Sequence, residues 1–142
     1  MDNLSPKQRS YCMSRVRTKS TNLELLVRSQ LRRCGIRFKT NVKTLPGTPD
    51  IVLPQVKVVV FIDGDFWHGF RFPLWEERVS LFWRVKINRN RARDQRNFQA
   101  LRRMGWRVIR LWQTQLERDL TACVQRIAGV RGCSVPINRG NQ

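Results

Sequence analysis

The chain has 142 residues, 41% of them hydrophobic, and carries 28 Lys and Arg against 10 Asp and Glu, a formal charge of +18. This length suits one domain with its own core, and the hydrophobic share excludes disorder throughout. The charge leaves the fold open but points to a polyanionic partner. The longest apolar run, Val58–Ile62, is far short of the roughly 20 residues of a membrane span. The opening MDNLSPKQRS has no apolar secretory segment. A cytoplasmic, nucleoid-associated address with no membrane partner is expected.

In chain order, residues 1–18 are polar and basic and are expected to form an arm or short helix. Thr21 or Asn22 can cap a helix to about Cys34, with Leu23, Leu26, Val27 and Leu31 at helical spacing and Gly35 as its stop. Ile36–Val42 reads as a strand, followed by a turn at Leu45-Pro46-Gly47-Thr48-Pro49. Asp50–Leu53 and Lys57–Ile62 read as two more strands, the second apolar enough to be central and buried on both faces. Residues 63–79 carry no period and are expected to be loop. A long helix over about Ser80–Met104, a strand Trp106–Leu111 and a helix over roughly Gln113–Ile127 follow. The tail from Gly129 reads as loose. The domain expected over 19–128 is therefore a single α/β unit, a mixed sheet flanked by helices.

Acidic residues are scarce, so their places carry information. Asp50 opens a strand, and Asp63 and Asp65 follow the buried one. A hairpin of 50–53 with 57–62 brings Asp50 and Asp63 to one edge of the sheet, where they can share Mg²⁺. That ion takes one or two carboxylates plus phosphate oxygens and water, and polarises a phosphodiester for cleavage. As turn residues and solvated strand ends, the same aspartates would need no metal. His68, the only histidine, lies in DGDFWHG, and a neutral imidazole there can take a proton from water. Glu24 near a helix start is explained by the helix dipole alone.

Arg84–Arg110 holds ten basic residues and one acid, Asp94. Arg89, Arg93 and Arg96 fall at helical spacing, as do Lys86 and Asn90, which makes one face a cationic ridge for DNA phosphates. Aromatic residues crowd 66–83, and loop aromatics beside such a ridge can wedge between bases. Cys12, Cys34, Cys123 and Cys133 form no C-x-x-C pair, so no zinc is expected and the thiols read as reduced.

The runs LPGTPD (Leu45–Asp50), VVVFIDGDFWHG (Val58–Gly69) and GWRVIRLW (Gly105–Trp112), with Phe82, Trp83, Lys86, Ile87, Asn90, Arg93 and Asp94 between them, resemble the very short patch repair (Vsr) endonucleases. Met13, Arg15 and Glu24 also fit, and the resemblance covers roughly residues 8–116. It implies a restriction-endonuclease-like fold and Mg²⁺-dependent nicking of double-stranded DNA beside T:G mismatches, by a monomer. It also implies that Asp50 binds metal, that His68 is the general base and that Glu24 supports the site through water. Ile62 would turn its backbone carbonyl to the metal, and Asp63 stands where members have histidine or aspartate. Phe66, Trp67 and Trp83 match intercalating aromatics. The positions matching a structural zinc site in some members are Asp65, Phe70, Phe72 and Thr114, which are not a zinc ligand set. Two other readings stay open: a site-specific nuclease of a mobile element or defence system, and a catalytically silent DNA-binding module.

Overall fold

A computed structural model describes residues 22–131 of the chain; the expected arm over 1–18 and most of the expected tail from 129 lie outside them. Helix α1 covers 22–33. Leu23, Val27 and Leu31, one turn apart, are its buried stripe, while Leu26 turns outward. Gly35, in the left-handed region at φ 72°, ends it, and the Ile36 amide donates to Leu31 O at 3.1 Å.

The strand expected over 36–42 shortens to β1, Lys39–Thr40. Asn41 adopts φ 49° and breaks the extended run, while its amide and that of Val42 bond to Asp50 O and Pro49 O. Next come β2 (Ile51–Leu53), a 3-10 turn (Pro54–Val56) and β3 (Val58–Asp63). All six residues of β3 are buried, as its unbroken apolar run predicts. Segment 63–79 is more ordered than a loop. It holds the one-turn helix α2 (Asp65–His68) and two 3-10 turns, Phe72–Leu74 and Glu76–Arg78. Their aromatic residues supply burial that no sequence period reveals.

The long helix α3 runs Leu81–Arg103, with the Ser80 hydroxyl accepting from the Trp83 amide at its start. β4 (Arg107–Trp112) follows. The single helix expected over 113–127 is two, α4 (Gln113–Arg118) and α5 (Leu120–Ala128). Asp119 separates them because its carboxylate caps α5, accepting from the Ala122 amide at 3.0 Å.

The sheet order is β1-β2-β3-β4. The first two pairings are antiparallel, and β3 pairs β4 in parallel, with Phe61 opposite Arg110 and Asp63 opposite Trp112. Strand alternation splits the core. Val58, Val60, Ile62, Ile109 and Leu111 pack with α1 and α5 on one face. Val52, Val59 and Phe61 pack with Phe98 and Leu101 of α3 on the other. A third cluster, Phe72, Trp83 and Ile87, joins 63–79 to α3. Among the described residues no helix is long and apolar enough to cross a membrane.

Candidate active site

The turn before β2 and the end of β3 meet at one sheet edge. Gly47 (φ 77°) and Thr48 (φ 50°) reverse the chain, and Asp50 then accepts the Ile62 amide on Oδ2 at 2.7 Å. That bond favours the carboxylate, but burial, aided by the charges of Glu24 and Asp63, overcomes it and pushes Asp50 up to about 7. Burial likewise raises Glu24, against the pull of Arg28 and with a push from Asp63. Arg28 Nη2 stands 3.8 Å from Glu24 Oε2. Three carboxylates thus gather where they resist ionising without a cation. Their hard oxygen donors suit a divalent ion such as Mg²⁺.

Asp63 ends β3 on the α3 side. Its Oδ2 accepts Arg110 Nε at 2.8 Å, and its Oδ1 stands 3.4 Å from His68 Nε2. His68 Nδ1 is 2.7 Å from Asp94 Oδ2, which also accepts Arg110 Nη2 at 2.8 Å. The Arg110 guanidinium lies 4.1 Å from the Trp112 ring centroid and 5.0 Å from that of Phe98. Burial favours neutral imidazole, yet the hydrogen bond to Asp94 and the charges of Asp63 and Asp94 outweigh it and raise His68. For Asp94, burial is likewise overcome by His68 and Arg110, so its carboxyl is held low. Gly69 makes the approach possible: it adopts φ 71°, and a Cβ there would stand 2.7 Å from Arg91 Cδ and 2.9 Å from Ile87 Cγ2. The chain after His68 therefore lies directly on α3.

Asp63, His68 and Asp94 offer ligand atoms within 4.8 Å of one another, the spacing of a metal site. Arg110 already places its charge between the two carboxylates. Asp50 and Glu24 feel the Asp63 charge as well, so further oxygen donors stand near.

The structure therefore brings Asp50, Asp63, His68 and Glu24 together. Sequence reasoning gave no role to Asp94 or Arg110. Both carry a signal in retrospect: each is a charge in an apolar pattern, Asp94 in the buried stripe Trp83, Ile87, Phe98 and Leu101, and Arg110 on the β4 face shared with Val108. Phe66 is half-buried, stacked with Trp75 and edge-on to Trp83. Trp83 is only 8% exposed; its projecting neighbour is Phe82, at 65%. Lys86, Arg89, Arg93 and Arg96 are exposed along α3, and Asn90 is half-buried. Asp65 binds Thr114, accepting from its amide at 3.2 Å and from its hydroxyl. Phe70 packs on Trp112 and Phe72 is fully buried. A hydrogen-bonded pair and aromatic packing fill the four positions, and they do not fit a zinc ion.

A family model described as DNA mismatch endonuclease Vsr matches residues 1–73. The chain belongs to the Vsr family. It is 46% identical over 131 residues to the type II nicking enzyme V.XorIIP of Xanthomonas oryzae pv. oryzae, covering 91% of this chain and 96% of that one. It is 35% identical over 133 residues to the type II nicking enzyme V.NmeDIP of Neisseria meningitidis serogroup C, covering 89% and 88%. The DNA mismatch endonuclease Vsr of Escherichia coli K12 is 34% identical over 110 residues, covering 76% and 70%. This Vsr-family chain is a DNA endonuclease with the mixed sheet and flanking helices of the restriction-endonuclease-like fold.

Proposed function

We propose that this chain nicks one strand of double-stranded DNA near a T:G-type mismatch, using Mg²⁺, in DNA repair. The observation that carries the reading is the meeting of the Asp50–Asp63–Glu24 carboxylates with the His68–Asp94 pair at one sheet edge. Asp50 and Asp63 would hold the ion, with the Ile62 carbonyl beside it and Glu24 acting through water. Bound there, Mg²⁺ would polarise the phosphoryl group and stabilise the leaving oxygen. Asp94 holds the His68 proton on Nδ1, so Nε2 is the atom left to take a proton. Water then attacks phosphorus, its proton passes to Nε2, and the phosphorus–oxygen bond to the leaving strand end breaks. Arg110 keeps Asp63 and Asp94 in place by bridging them.

The domain over 19–128, a monomeric state and a cytoplasmic, nucleoid-associated location belong to the same reading. Phe66, Trp67 and Trp83 would lie against the mispair, where unstacking costs less than in paired DNA. Lys86, Arg89, Asn90, Arg93 and Arg96 would hold phosphates. Replacing Arg89, Arg93 and Arg96 together with Ala should weaken binding to every duplex alike and lower the slope of log K against log salt by about 0.9 for each lost contact. A loss confined to one DNA sequence would show base reading instead.

A site-specific nicking role is the second reading, favoured by the name of the 46% identical relative. Closed-circular plasmid carrying one T:G mismatch should become open circles with Mg²⁺, and EDTA should prevent it. A chain that bound the plasmid but never cut it under Mg²⁺ would be a silent binding module.

A further inference from the structure

α3 carries a second polar flank. Arg84, Asn88, Arg91 and Gln95 follow at i, i+4, i+7 and i+11, one stripe on the opposite side of the helix from Arg89, Arg93 and Arg96. Three of these four line a cavity of about 480 Å³ together with His68, Arg71 and Arg110. No carboxylate is among its lining residues. Arg110 is matched by Asp63 and Asp94, but among the described residues Arg71 and Arg91 make no ion pair. Their guanidinium groups instead lie by aromatic rings, Arg71 5.2 Å from Phe70 and Arg91 5.5 Å from Phe72. A ring contact does not use up the N–H donors of a guanidinium.

Arg71 also holds its backbone at φ 52°. Non-glycine residues rarely adopt that region, and such strain concentrates where ligands bind. Two steered arginines, a strained backbone and a cavity without acids describe an anion seat. The cavity is far too small for a duplex and large enough for one phosphate with its sugar. His68 and Arg110 are shared between this cavity and the carboxylate cluster, so the anion lies one step from the reacting centre.

We propose that this cavity seats a DNA backbone phosphate adjacent to the scissile one on the cut strand, with Arg71 and Arg91 as its donors. The seat fixes the register of the strand against His68. It rests on the reading of the chain as a nuclease that uses His68.

The test uses Arg71→Gln, Arg91→Gln and the double variant. Once the nick is mapped on T:G-mismatched DNA, duplexes with that mismatch are made with a single uncharged methylphosphonate at each linkage around the cut. Wild-type cleavage should fall roughly tenfold at one linkage beside the cut, the loss expected of a charge-assisted hydrogen bond. The double variant should already cut all-phosphate DNA roughly tenfold more slowly, and the neutral linkage should slow it no further. Equal sensitivity of wild type and double variant to that linkage would overturn the proposal. So would indifference to every neighbouring linkage. Inorganic phosphate followed by ³¹P NMR separates a seat for free anion: binding to wild type but not to the variant, with no linkage mattering, also overturns it. A melting curve checks folding, and Arg71→Gln alone, at an exposed position, carries the same comparison if the double variant does not fold. Absence of any nicking by wild type would count against the nuclease reading itself, whereas unaltered nicking by both single variants would count against the seat only.

Discussion

Asp50→Asn is expected to lower nicking by about 10²–10⁴-fold, the several kcal/mol that a metal ligand contributes to a phosphoryl transition state, while DNA binding persists. The phosphate contacts proposed above, on α3 and at Arg71, do not involve this carboxylate, so a mobility shift with a T:G-mismatched duplex should be unchanged. The same variant carries a signature in stability. Asp50 is pushed up to about 7 by burial and by the charges of Glu24 and Asp63, against an ordinary value of 3.8. The unfolded chain therefore loses this proton first as pH rises. Stability attributable to the group is fully present below about 3.8, is lost as pH climbs through about 7, and stays lost above. In EDTA the wild type should melt higher at pH 5 than at pH 8, and Asp50→Asn should show a smaller difference. Mg²⁺ should raise the wild-type melting temperature at pH 8 and move the variant little. Wild-type cleavage by Asp50→Asn would remove the carboxylate from the mechanism.

His68→Ala should reduce the rate by about 10²–10⁴-fold, the usual share of general acid–base catalysis. Asp94→Asn tests how the imidazole is prepared. The amide can keep a hydrogen bond to Nδ1 but no longer favours the proton there, so the wrong tautomer can form and the rate should fall by a comparable factor. The pH profile separates this from a general loss of packing. Asp94 and Asp63 hold His68 above its ordinary value despite burial, so wild-type activity should rise with pH to a plateau reached above about 6.5. Removing the Asp94 charge lowers that value and moves the inflection to lower pH. An inflection that stays in place in Asp94→Asn would show that another group sets the profile.

Much of this arrangement was legible because local signals and tertiary needs agree. The run Val58–Ile62 could be only a buried strand, and all six residues of β3 are buried. Asp50, Asp63 and His68 stood out because acids and histidine are scarce in so basic a chain, and the hairpin joining β2 to β3 does bring the two aspartates to one edge. Boundaries failed where single side chains decide. Asn41 in the left-handed region cuts β1 short, and the Asp119 cap divides α4 from α5. Helix α2 was invisible because its stability comes from aromatic packing of Phe66 against Trp75 and Trp83, not from its own period. Arg110 and Asp94 were missed for a related reason. They lie 16 residues apart and meet only because β4 returns beside β3 under α3, so no local pattern pairs them.

The proposed activity is a Mg²⁺-dependent nick in one strand beside a mispair. The most direct test is a panel of end-labelled duplexes, identical except for one T:G, another mismatch or a matched pair, incubated with Mg²⁺ and with Asp50→Asn as control. One labelled fragment from one strand is expected, formed fastest on T:G DNA by wild type and absent with the variant. Equal cutting of all duplexes at one sequence, or cutting by the variant, would contradict it.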